Sequence, residues 1–193
     1  MKKLKITFNA PVVLGFAVVS FAAMLLNVLT GGASNRLLFT TYRSSPLSPL
    51  TWIRLFTHAL GHSGWEHYIG NMAYLLLLGP ALEEKYGSKR ILLVMGAAAL
   101  STGLVHTLLF PGAAMCGASG IVFAFILLTS FAGFREGEIP VTVILVALIY
   151  IGQQVYDGLF VRDNVSNLSH IVGGLVGAAA GFLLNRGGKK RRG

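Results

Sequence analysis

The sequence predicts an all-α polytopic membrane protein, a bundle of six transmembrane helices forming a single domain over residues 1–193. Three observations lead there. Hydrophobic residues make up 54% of the chain and charged ones only 12%, with 24 glycines, a balance foreign to an ordinary soluble domain. The apolar residues gather into six runs, most of them near the ~20 residues that a ~30 Å hydrocarbon layer requires. No run alternates with the period of a strand, so helices must satisfy the backbone in lipid.

The first run, Ala10–Leu29, follows MKKLK and exceeds the roughly 7–15 residues of a signal-peptide core, so it reads as an uncleaved span. Residues 31–66 carry Leu37, Leu38, Phe39, Trp52, Ile53 and Phe56 around SSPLSP. That is too apolar for a solvated loop, and the segment is expected to lie in the outer interface, its aromatics and arginines at headgroup depth. The second run is His67–Leu82, which Gly79–Pro80 is expected to kink or end. EEKYGSKR is a short connection on the inner side that leads to the third run, Ile91–Phe110.

FPGAAMCGA then precedes a fourth run, Ser119–Phe134, about 24 Å long as a helix and shorter than the hydrocarbon layer. The preceding segment is therefore expected to dip inward from the outer side, where irregular backbone is tolerated only beside protein or a water-filled cavity. Ser119 would face that cavity from a helix N-terminus. FREGEIP leads to the fifth run, Pro140–Tyr156, and the sixth is Leu168–Leu184, followed by a basic tail at 186–193.

Charge sets the orientation. With the N-terminus inside, the inner segments hold twelve basic residues, among them Lys2, Lys3, Lys5, Lys89, Arg135 and the tail, and the outer ones hold Arg36, Arg43, Arg54 and Arg162. Both termini are expected in the cytoplasm, and the net charge of +9 faces anionic lipid rather than nucleic acid, since basic residues flank the spans and no soluble domain accompanies them. The expected location is a prokaryotic inner membrane. Cys116 is the single cysteine, so no intrachain disulfide forms.

In the sixth run His170, Gly173, Gly177 and Gly181 recur at i, i+3, i+7 and i+11 and share one helical face. A glycine stripe lets a neighbouring helix approach closely, and Gly117 and Gly120 flank Ser119 on the fourth. Ser119 is either a small packing residue or a nucleophile. If those two helices are neighbours, His170 and Ser119 begin on the same side and come within hydrogen-bond reach, as a base and a hydroxyl require. The seven acids lie outside the spans at this point, Asp157 and Asp163 being read as loop residues, so the pattern favours a Ser–His dyad over a triad.

In the second run His67 and Asn71 are four apart on one face near the outer end, where they either hydrogen-bond a neighbouring helix or, with the Ser119 amide, supply N–H donors to an oxyanion. His58 and His62 are also four apart, but Ala59 follows His58, so the H-E-x-x-H of a zinc protease is absent. They read as structural, as do His106 and Cys116, and neither a metal nor a cofactor is expected.

The combination of HALGHSGWEHYIGN at 58–71, GASG at 117–120 and HIVGGLVG at 170–177 resembles the rhomboid family of intramembrane serine proteases, over roughly residues 51–181. The resemblance implies a rhomboid-like fold, with Ser119 as nucleophile, His170 as general base, and His67, Asn71 and the Ser119 amide around the oxyanion. It implies substrates that are membrane proteins with a transmembrane segment. Arg54 matches the arginine of the family's outer-loop Trp-Arg pair; here Ile53 precedes it and Trp52 stands one position earlier. Phe123 replaces the tyrosine that often follows the serine by four residues, and it is expected to stack on His170. Two alternatives stand beside this reading: an inactive relative that binds membrane helices, and a small-solute transporter.

Overall fold

The structure is a computed structural model that describes residues 7–131, 139–160 and 167–186. Lys2, Lys3, Lys5, Arg135, Arg162, Asp163 and the tail beyond Arg186 lie outside these residues. Within the described residues the chain forms eight helices and no strand: α1 (Pro11–Leu29), α2 (Ala33–Leu38), α3 (Pro49–Thr57), α4 (Trp65–Tyr86), α5 (Ser88–Leu109), α6 (Ser119–Ser130), α7 (Val141–Phe160) and α8 (Asn167–Asn185). Three of them, α1, α5 and α8, are long and apolar enough to cross a membrane, and Ser119–Ser130 and Val141–Tyr156 are shorter apolar helical stretches. α4 matches α5 in length, but Glu66, Glu83, Glu84 and Lys85 at its ends lower its mean hydropathy.

α6 is the hub. Its residues from Gly120 to Leu128 are buried almost all round, the pattern of a helix enclosed by others rather than one facing solvent or lipid on a broad side. α4, α5, α7 and α8 pack around it, and α1 packs on α4. The α6–α8 contact is the closest, because glycine stands where any side chain would collide. A Cβ on Gly173 would run into the backbone of Gly120, and one on Gly177 into the carbonyl of Ala124.

Gly79–Pro80 does not end the second long helix. Pro80 sits inside α4, which continues to Tyr86. Proline removes one N–H from the ladder, but Met72, Leu75, Gly79, Leu82 and Glu83 form a continuous buried face across it. A Cβ on Gly79 would lie 2.7 Å from both γ-carbons of Val13 and 3.3 Å from Phe125, so α1 and α6 pack closely on the helix there.

Glu83 joins α4 to the start of α1. It is buried, and its two carboxylate oxygens accept the N–H groups of Val12 and Val13 at 3.0 Å each, while Ser88 Oγ donates to it at 2.6 Å. These amides belong to the first turn of a helix and have no intrahelical acceptor, so an acid is the natural partner. Glu83→Gln replaces one acceptor with an N–H aimed at another N–H. We expect it to cost about 2–3 kcal/mol, read as a shift in the denaturation midpoint in micelles.

Residues 31–66 are more ordered than a loop. α2 and α3 lie within them, and Arg54 on α3 is buried, with Nε donating to the Leu37 carbonyl at 2.8 Å and the guanidinium 4.5 Å from the Tyr42 ring centroid. Trp52 does not join it; its indole N–H donates to Pro46 O at 2.9 Å, and Trp52, Ile53, Phe56 and Leu37 are exposed. This segment also holds the irregular stretch before α6. Thr41 and Met115 exchange both backbone hydrogen bonds at 2.9 Å, and the Gly117 N–H donates to His58 O at 2.9 Å.

Candidate active site

Ser119 is the first residue of α6, capped by Ala118 with no side-chain bond to the free amides. The backbone reaches it through Gly117, whose φ of +134° is open to glycine and strained for other residues. The strand-like tether at Thr41–Met115 and the Gly117–His58 hydrogen bond fix this approach, so the hydroxyl is set by backbone rather than by a loose loop.

His170 stands near the start of α8, one turn before Gly173. Because the glycine stripe brings α8 against α6, its Nε2 lies 2.9 Å from Ser119 Oγ. The Phe123 ring, one turn into α6, stacks on the imidazole with centroids 4.6 Å apart and planes 8° from parallel. Tyr150 of α7 meets Phe123 edge-on, with centroids 5.6 Å apart. The imidazole is thus held in plane by a ring and in direction by its hydrogen bonds.

His67 and Asn71 come to the same place from α4. A Cβ on Gly117 would fall 2.7 Å from His67 Nε2 and 3.7 Å from Asn71 Nδ2, so two side-chain nitrogens converge on the space that glycine leaves open. Ser63 Oγ lies 3.1 Å from His67 Nδ1. If that hydroxyl donates, Nε2 carries the imidazole proton and faces Gly117 as a donor. Asn71 Nδ2 is buried and has no hydrogen-bond partner. A cavity of about 370 Å³, lined by Ser63, Gly64, Glu66 and His67, opens beside His67.

The other singled-out residues are engaged elsewhere. His58 Nε2 is 3.0 Å from the Ala99 carbonyl of α5, and His62 Nδ1 is 3.2 Å from Leu60 O. Burial pulls both imidazoles down to about 4, so each is neutral at neutral pH. His106 stacks on Phe110 with centroids 5.4 Å apart. Burial pushes the Cys116 thiol up, away from a reactive thiolate.

One residue at the site escapes the motif reading. Gln154, buried on α7, places Oε1 2.6 Å from His170 Nδ1. The signal was present, since Gln153–Gln154 interrupts an apolar run and a polar side chain there is costly unless partnered. Asp157 falls within α7, which extends past the expected end of the fifth run to Phe160.

The segments that converge on Ser119 come from α4, α6 and α8, and the stretch containing all three is also what the family comparison covers. The family model for the rhomboid domain matches residues 49–187, most of the chain and every residue of this cluster. Its helices and the motifs on them agree with that match, and the chain belongs to the rhomboid family, whose members are generally intramembrane serine proteases and include inactive ones.

Proposed function

We propose that this integral membrane protein is a six-span intramembrane serine endopeptidase that hydrolyses a peptide bond in or near another protein's membrane span. The observation that carries the reading is the 2.9 Å separation of Ser119 Oγ and His170 Nε2 at the head of a buried helix. In this scheme the Ser119 oxygen attacks the carbonyl carbon as its proton passes to His170 Nε2. The negative charge that develops on the carbonyl oxygen is met by the Ser119 N–H, His67 Nε2–H and Asn71 Nδ2. His170 then returns the proton to the leaving amine, and water hydrolyses the acyl-enzyme by the same exchange. Phe123 keeps the imidazole in plane, and Gly117, Gly120, Gly173 and Gly177 let the helices meet. No cofactor or metal takes part.

A peptide bond inside a helix has its carbonyl hydrogen-bonded and its face covered, so substrates are expected to be membrane helices that unwind locally. In the proposed topology both termini are cytoplasmic in a prokaryotic inner membrane, residues 1–193 form one domain, 31–66 lie in the outer interface, and 186–193 are a basic tail against anionic lipid. Its partners are the bilayer and membrane-protein substrates, not nucleic acid.

A fluorophosphonate probe in proteoliposomes tests the reading. Labelling of the wild type that disappears in Ser119→Ala and in His170→Ala is the expected result; equal labelling of all three overturns it. Asn71→Ala should lower kcat about 10²- to 10³-fold with little change in KM, because its amide meets charge that exists only in the transition state. Steady-state cleavage of a single-span substrate measures the split.

A further inference from the structure

Gln154 is the residue at this site that no motif accounts for. Its side chain comes from α7, buried, and its amide oxygen sits 2.6 Å from His170 Nδ1. With the amide oriented oxygen-first toward the ring, Nδ1 carries the proton and donates it, because an amide oxygen only accepts. Neutral imidazole has one N–H, and placing it on Nδ1 leaves Nε2 with a free lone pair. Nε2 is the atom 2.9 Å from Ser119 Oγ. The opposite tautomer would point an N–H at the hydroxyl, where the base needs a lone pair.

We infer that Gln154 is a positioning residue: it selects the tautomer of His170 that can take the Ser119 proton, and holds the ring edge toward the serine while Phe123 holds its face. This rests on the protease reading above. When the Ser119 proton moves to Nε2, the Nδ1–H stays in place and its hydrogen bond to Oε1 becomes charge-assisted, so the amide supports the imidazolium without itself changing protonation. The uncharged amide also suits the location. A carboxylate in this role would be buried between membrane helices, where an ion is far costlier than an amide. Because Gln154 belongs to α7 while the serine and histidine belong to α6 and α8, the base is oriented by a helix that carries neither reacting group.

The test uses the full chain in micelles, labelled with ¹⁵N-histidine, with the His170 signals assigned by their loss in His170→Ala. The wild type is expected to show His170 protonated at Nδ1 and bare at Nε2. Gln154→Leu, which is easily buried in a membrane helix, is expected to shift that population toward the other tautomer. It should also lower kcat about 10- to 100-fold, with KM changed by no more than about twofold and an unchanged melting temperature. A wild-type His170 protonated at Nε2, or a Gln154→Leu variant with wild-type kcat, overturns the inference. A wild type that neither cleaves nor takes up the fluorophosphonate overturns the protease reading instead, and the nitrogen spectrum still decides whether Gln154 selects the tautomer.

Discussion

Ser119→Ala and His170→Ala are each expected to reduce cleavage of a single-span substrate by ~10⁴- to 10⁶-fold, and the double variant is expected to lose no more than either single one. In the proposed mechanism the two side chains, 2.9 Å apart, share one proton, so removing either end removes the whole transfer. A hydroxyl without a base is a poor nucleophile, and a base without a hydroxyl has nothing to activate. What survives in either variant is the convergence of His67, Asn71 and the Ser119 amide, which in the proposed mechanism meets a developing oxyanion whichever nucleophile produces it. Losses that multiply in the double variant would mean that the two residues act separately, and would sink the dyad even if each single variant were slow. The measurement is kcat/KM by gel densitometry with purified substrate in proteoliposomes.

The second large effect is on assembly. Gly177→Val is expected to destabilise the protein by roughly 3 kcal/mol or more, and Gly177→Ala by about 1–3 kcal/mol, because even one methyl would enter the Ala124 carbonyl. The intrinsic helix preference of alanine over glycine, ~1 kcal/mol, works in the opposite direction and does not offset a clash with backbone. Gly174, three residues earlier on the same helix, provides the contrast. A Cβ there would meet Leu127 Cδ2 at 3.5 Å, an ordinary contact, so Gly174→Ala should be neutral or slightly stabilising. Denaturation midpoints of the three variants in mixed micelles check the order. Equal midpoints for Gly174→Ala and Gly177→Ala would show that helix propensity, not close approach, governs the stripe. Activity should fall with stability in the Gly177 variants, since any outward shift of α8 carries His170 away from Ser119.

The motifs and the structure meet unevenly along the chain. The helical character of each long element was legible because apolar runs of that length in a chain with so few charges have no other way to satisfy their backbone. The i, i+3, i+7 spacing of His170, Gly173 and Gly177 likewise announces one face and a close neighbour. Of the two outcomes that Gly79–Pro80 allows, a kink or an end, the end does not occur: local propensity argues for a break, but a buried face continuous from Met72 to Glu83 carries the helix through. The expected loop residue Asp157 lies within α7 for a similar reason, as the helix outlasts its most apolar stretch. Residues 31–66 announced their apolarity but not their construction, in which Arg54 is tied to the Leu37 carbonyl and Thr41 pairs with Met115 across more than seventy positions.

Composition, helical period and short motifs are local properties of the chain: composition and period determined the helical membrane class, and the motifs at 58–71, 117–120 and 170–177 carried the family resemblance and marked which serine, histidines and asparagine to watch. Which groups stand within 3 Å of one another was decided only by the packed bundle. Gln154 has no motif to mark it and reaches His170 from a different helix, and the donors of His67 and Asn71 acquire a common target only when the backbone at Gly117 passes beside them. Hydrogen bonds demand direction as well as distance, and direction between helices is fixed by how their surfaces fit, a quantity that no single stretch of sequence contains.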